Sequence, residues 1–140
     1  MTMAVILAID FGTRRLGLAV SDPAGMIAFP LPALTRKGTV QDVASLMEVI
    51  RNREVTQVIL GMPLTLRGDE QDAADRVRAF AAALQEASGI VPAFMDERLS
   101  SAEANRRMLE ADVSRSRRRQ AVDSMAAAII LERYLAEQSR

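Results

Sequence analysis

Apolar residues run unbroken from Ala4 to Ile9 and stop at an acid, Asp10. A run of this length without polar alternation reads as a strand buried on both faces, here Ala4–Phe11. After Gly12-Thr13-Arg14 a second run, Arg15–Asp22, returns through Leu16, Leu18 and Val20, so the two form a hairpin. Ile27–Leu34 is a third strand, which Pro30 and Pro32 restrict to an edge. Lys37-Gly38 is a loop. Thr39 opens a helix, with Val43, Leu46, Met47 and Ile50 at helical spacing. Gln57–Gly61 is a short buried strand. Asp69–Ser88 is a long helix with Ala73, Val77, Phe80, Ala81 and Leu84 along one stripe, and Gly89 caps it. Val91–Met95 is a strand followed at once by Asp96-Glu97-Arg98. Ser100 and Glu103 form a capping-box pattern that starts another helix. The last helix runs from about Arg117 to Glu137 on Val122, Met125, Ala126, Ile129 and Ile130.

Early hairpins followed by β-α-β units predict an α/β fold. Its mixed sheet of five strands has three antiparallel strands first and parallel strands after, with helices on its faces. No repeat, low-complexity segment or linker interrupts the 140 residues, which are read as one domain, 1–140. A chain of this size can bury roughly 70% of its unfolded surface, so its core needs no covalent staple.

Composition narrows the chemistry. The chain has no cysteine and no histidine. Thiolate and imidazole metal sites, thiol nucleophiles and histidine bases are therefore excluded. Carboxylates, hydroxyls, arginines and Lys37 remain, and an all-oxygen donor set favours magnesium or manganese. No basic leader precedes the first apolar run, and no stretch approaches the ~20 apolar residues of a membrane span. The expectation is a soluble, cytoplasmic protein that meets no membrane. Net charge is zero, but the arginines are unevenly placed. Residues 98–119 hold seven arginines against three acids, a local +4. Arginine's planar fork suits phosphate. Arg14, Arg98, Arg115, Arg117, Arg118 and Arg119 are the candidates for gripping a nucleic-acid backbone; a solvated helical face explains the same run without a ligand.

Ligands in open α/β sheets sit beyond the carboxyl ends of strands. Asp10 ends the first strand and Asp96-Glu97 the last. Asp123 lies one turn into an apolar helix; on a helical wheel it falls at the border of the apolar arc, beside Ala126 and Ile130. Carboxylates converging at low dielectric repel one another, and one or two divalent cations remove that repulsion. Each acid also has an ordinary explanation. Asp10 can pair with Arg14 or Arg15, Asp96 or Glu97 with Arg98, and Asp123 with Arg119 at the four-residue spacing of a helix ion pair. Strand alternation puts Glu97 on the face of Val91, Ala93 and Met95, and Asp96 on that of Pro92 and Phe94. Reach favours Glu97 and leaves Asp96 as the alternative. Gly61-Met-Pro-Leu and Gly68-Asp-Glu-Gln bracket a loop that either presents amides to a phosphate or simply joins strand to helix. Asp10-Phe11-Gly12 matches the kinase metal-binding tripeptide, but without its context.

Several stretches together resemble the YqgF (RuvX) family: Ile9-Asp10-Phe11-Gly12-Thr13-Arg14, Gly17–Asp22, Gly61-Met-Pro-Leu, Asp96-Glu97-Arg98-Leu99-Ser100, and Val122-Asp123-Ser124 with Ala127 and Ile130-Leu131. They fall in the family's order over nearly the whole chain. The resemblance implies an RNase H-like fold similar to that of RuvC resolvases. It implies a metal-dependent nuclease that resolves Holliday junctions or matures the 5′ end of precursor 16S ribosomal RNA. The catalytic, metal-holding acids would then be Asp10, Glu97 and Asp123, with Mg2+ or Mn2+ as cofactor and an rRNA precursor or branched DNA as partner. Where related sequences often carry lysine or glycine before the Val-Asp-Ser motif, this chain has Arg117-Arg118-Arg119-Gln120, which keeps the charge. A symmetric four-way junction calls for a homodimer, which the sequence does not reveal. Two other readings remain: a non-catalytic nucleic-acid or ribosome-assembly factor, and an ATP-binding domain of the actin and sugar-kinase type, for which the chain is short.

Overall fold

The computed structural model describes residues 4–62, 71–96, 106–107 and 115–138, the side chains of 71, 96 and 115–123 excepted. Five strands, β1 (Val5–Phe11), β2 (Arg15–Ser21), β3 (Ala28–Thr35), β4 (Val55–Met62) and β5 (Ala93–Asp96), form one sheet in the order β3-β2-β1-β4-β5. The β1–β2 and β2–β3 pairs are antiparallel, and β1–β4 and β4–β5 are parallel. The mixed sheet predicted from the hydrophobic pattern is the one observed.

Helices α1 (Thr39–Asn52) and α2 (Gln71–Ser88) cover one face, and α3 (Arg115–Gln138) covers the other. Alternation along each buried strand decides which side chains go where. Leu7 and Ile9 of β1, with Val58 and Leu60 of β4, pack under α1 and α2 against Leu46, Phe80 and Leu84. Ile6 and Ala8, with Ala19 and Ile59, pack under α3 against Ala127, Ile130 and Leu131. The α3 side is rich in alanine, which lets that helix approach the sheet closely; the opposite side takes the larger residues. Fully burying each Leu, Ile or Phe contributes about 1.5–3 kcal/mol.

Polar contacts fix the course of α3. At its tenth residue the Ser124 hydroxyl donates to the Leu31 carbonyl of β3. Ten residues on, Gln57 Nε2 donates to the Tyr134 hydroxyl at 2.8 Å, over β4. Leu31 is paired with Leu18 and Leu18 with Ile9, whereas Gln57 is paired with Ile6. From Ser124 to Tyr134 the helix therefore crosses the sheet diagonally, from the level of the carboxyl end of β1 toward that of its amino end.

The element boundaries follow local signals. Gly89 adopts φ 76° and its N–H returns to the Gln85 carbonyl at 2.8 Å, the left-handed cap expected there. β3 is an edge strand, as its prolines require. β4 is longer than the expected Gln57–Gly61, because Val55 is buried and Met62 still pairs with Asp96. β5 starts at Ala93 rather than Val91, which is exposed. Ser100 and Glu103, the expected helix start, and Asp69 lie outside the described residues; residues 106–107 are helical.

Candidate active site at the carboxyl ends of the parallel strands

Three parallel strands end together on one side of the sheet. Their register sorts the residues there into rows. Ile9, Leu60 and Phe94 form one row. Beyond it Gly61 pairs with Met95 and Met62 with Asp96; continuing the β1–β4 register by one and two steps puts Asp10 level with the first pair and Phe11 level with the second. Asp10 shares the face of Ile6 and Ala8, which is the α3 side.

Asp10 is 8% exposed. Its partner on β2 is Gly17, and one residue beyond the Ile9–Leu60 pair its neighbour on β4 is Gly61. Glycine on both flanking strands leaves the carboxylate uncrowded within its own row. A buried carboxylate is costly without compensation. Arg14, one of the two expected partners, makes no ion pair among the described residues; its side chain is exposed. Asp10 does have an interaction within the fold.

The other acids can be placed by position. Asp96 ends β5 in the row of Phe11 and Met62, whose side chains pack under α1 and α2. That row is on the face away from Asp10. Glu97 and Arg98 lie outside the described residues, as does the side chain of Asp96. Asp123 belongs to α3, and its side chain too lies outside the described residues. At about 100° per residue its position falls between those of Ile130 and Tyr134 on the helix circumference. Both are buried and face the sheet. It directly precedes Ser124, which the register brings level with Ile9, next to Asp10. Arg115, Arg117, Arg118 and Arg119 occupy the first turns of the same helix, with side chains outside the described residues. Among the described residues no three acids converge, Asp10 being the one member of the proposed set whose side chain is described.

The turn after Asp10 is held by residues that sequence reasoning overlooked. Arg36 donates from Nε to Asp42 Oδ2 at 2.9 Å and from Nη1 to the Gly12 carbonyl at 3.2 Å. Its guanidinium lies 4.4 Å from the Phe11 ring centroid, a cation–π contact. Asp42 is 3% exposed and also accepts the Lys37 N–H at 3.0 Å. The sequence did carry a signal: Asp42 precedes Leu46 and Ile50 at four-residue steps, an acid in an apolar stripe that needs a buried cation. That cation is Arg36, six residues earlier.

All the donors that can be assigned at this end of the sheet are oxygens. The chain has no thiolate or imidazole to add to them, so carboxylate oxygen suits a hard divalent ion such as Mg2+ or Mn2+. No described helix is long and apolar enough to cross a membrane.

Comparison with known proteins agrees with this architecture. The RuvX family model, described as "Holliday junction resolvase", matches residues 4–137. A protein of Koribacter versatilis named "Putative pre-16S rRNA nuclease" is 43% identical over 130 residues, covering 93% of this chain and 85% of its own length. One of Moorella thermoacetica with the same name is 42% identical and covers 93% of both. Among solved structures, T. thermophilus RuvC in complex with Holliday junction substrate superposes with a TM-score of 0.62 at 15% identity, covering 97% of this chain and 96% of that one. Fowlpox virus resolvase with its junction DNA gives 0.58 at 10% identity, covering 97% and 99%. At such identities the likeness is one of fold, and the fold is RNase H-like.

Proposed function

The chain belongs to the RuvX family of nucleases, and from that premise we propose that it hydrolyses phosphodiester bonds of structured nucleic acid with a divalent metal ion held by Asp10, Glu97 and Asp123. The observation that carries this reading is Asp10, a buried carboxylate at the carboxyl end of β1, paired with Gly17 on β2 and one residue past the last β1–β4 pair, Ile9 with Leu60. Position 123 lies on the helix that covers the same face. The alternation of the sequence favours Glu97 over Asp96, position 97 being two residues from Met95 and four from Ala93.

Bound there, a divalent ion would supply activation of water and stabilisation of the departing oxygen. The chain's own residues do the rest. Asp10 stays fixed because β1 is paired on both sides and its turn is clamped by Arg36. The exposed Arg14 guanidinium, beside that turn and without an ion pair among the described residues, is available to a backbone phosphate. Arg98 and the arginines that open α3 extend that grip. The relatives' names favour precursor 16S rRNA as substrate, and the family description favours a four-way junction, whose two-fold symmetry would call for two copies of the chain.

Cleavage of a mobile four-way junction and of a precursor 16S rRNA fragment, side by side with Mg2+ or Mn2+, tests the reading. Wild type cuts at least one of them. Asp10→Asn binds as before and loses at least about a hundredfold in cleavage rate, since outer-shell partners of a metal site alone are worth about 10–100-fold. Undiminished cleavage by Asp10→Asn would sink the proposal. So would wild-type binding that persists in EDTA with no product under any metal.

A further inference from the structure

On the side of the sheet opposite Asp10, the same turn opens into a cleft of about 190 Å³. Phe11, Gly12 and Thr13 form one wall, and Arg36 and Arg76 project from α1's approach and from α2. Ala73 and Val77 make the α2 wall apolar.

The donors and acceptors of this cleft do not balance. Arg36 uses one N–H on Asp42 and one on the Gly12 carbonyl, which leaves three of its five. Arg76 donates from Nε to the Asp72 carbonyl at 3.3 Å and makes no ion pair among the described residues, which leaves four. The Thr13 hydroxyl has no hydrogen-bond partner among the described residues. No carboxylate is among the described lining residues. Arg36 is anchored by Asp42 and stacked on Phe11, so its fork is already oriented before any ligand arrives. A pocket with surplus N–H donors, a pre-set guanidinium and apolar walls is built for a compact, acceptor-rich anion.

We propose that this cleft holds a backbone phosphate of the nucleic acid, at a nucleotide flanking the one presented to Asp10. The proposal rests on the nuclease reading above. Asp10 and Phe11 are consecutive residues facing opposite sides at the end of β1, so a strand draped over that end of the sheet meets both sites. The cleft sets the direction of that strand and the distance from the anchored phosphate to the bond that is cut. Arg36, Arg76 and Thr13 are positioning residues.

Fluorescence anisotropy of the full-length chain with a fluorescein-labelled four-way DNA junction, and separately with a labelled single-stranded RNA, in EDTA, tests this. Arg76→Gln weakens binding of at least one probe by about tenfold and lowers the salt slope, log Kd against log salt, by about 0.7–0.9. Thr13→Val weakens the same probe by less. Arg78→Gln removes the same charge from the same helix but outside the cleft, where Arg78 pairs with Asp75 at 3.1 Å, and leaves both readouts unchanged. Arg76 and Thr13 are exposed, so neither change endangers the fold. An Arg76→Gln curve equal to that of Arg78→Gln overturns the subsite. Inorganic phosphate at constant ionic strength distinguishes the source. If it shifts the Gly12 and Thr13 amide resonances while nucleic-acid binding is indifferent to Arg76, the cleft is a free-phosphate site and the strand proposal is wrong. Intact, Arg76-dependent binding without cleavage would count against the nuclease reading alone. A wild type that binds neither probe would overturn both.

Discussion

Gly12 occupies a position that no other residue fits. A Cβ there would lie 2.5 Å from the Arg15 carbonyl oxygen, with which the Gly12 N–H makes the 3.0 Å bond that closes the β1–β2 turn. The obstacle is backbone, so it cannot swing aside. Gly12→Ala should lower stability by about 1–3 kcal/mol, the usual cost of overpacking, read as an earlier urea midpoint at unchanged slope. Gly38 offers a comparison, because a Cβ there meets nothing within 4 Å and the cost is confined to its φ of 120°. A midpoint unmoved by Gly12→Ala would show that the turn relaxes more easily than its geometry allows. At this scale the sequence disclosed the acid and hid its surroundings. Asp10 stood out because it ends an unbroken apolar run. Gly17 and Gly61 flank it only through strand pairing, a long-range fact that no local pattern contains. Arg36 was hidden for the same reason, since its value lies in reaching Asp42, Phe11 and Gly12 at once.

Asp22 organises the turn between β2 and β3. Its Oδ1 accepts the N–H groups of Met26 and Ile27, each at 2.7 Å, and its own N–H donates to the Ile27 carbonyl at 3.1 Å. These bonds favour the charged carboxylate and hold its pKa below the ordinary 3.8, the Ile27 amide contributing most and Met26 adding to it. The sign follows from linkage: the folded value is depressed, so the stabilisation is present above the unfolded value and is lost as pH falls through the folded one. The Met26 and Ile27 amide resonances should titrate together with a midpoint below 3.8, and Asp22→Asn should abolish that titration. A midpoint at or above 3.8 would mean that the amides do not hold the carboxylate. The elements themselves were largely legible, because period-2 and period-3.6 patterns report burial directly. Their ends were less so. Val91 extends the alternation of β5 in sequence but has no partner on β4, and Met62 continues β4 past the glycine that looked like its end. Pro30 marked β3 as an edge correctly, and its missing N–H also leaves that edge a poor template for a further strand.

Across the whole molecule, the proposed metal ligands come from three distant parts of the chain: β1, the segment after β5, and α3. Their order along the chain was readable, and so was the parallel pairing of β4 with β5 across a helix. The convergence proposed for them would depend on α3 crossing the sheet diagonally, a course set by Ser124 on β3 and Tyr134 on β4 that no local pattern contains. A ligand that bridges three elements binds the folded chain and not the unfolded one, so it must stabilise the fold by mass action. At a hundred times its Kd the gain is about 2.7 kcal/mol, which for a domain of this size raises Tm by roughly 10 °C. Wild type should therefore melt progressively higher with increasing Mn2+ or Mg2+, and Asp10→Asn should lose most of that rise. Asp75→Asn removes an acid that pairs with Arg78 on exposed α2, and should keep the full shift. The three curves separate a site from general screening, since bulk electrostatics would move all of them alike. Equal shifts in wild type and Asp10→Asn would remove Asp10 from the metal site, while leaving the phosphate cleft on the other face of β1 to be judged by its own variants.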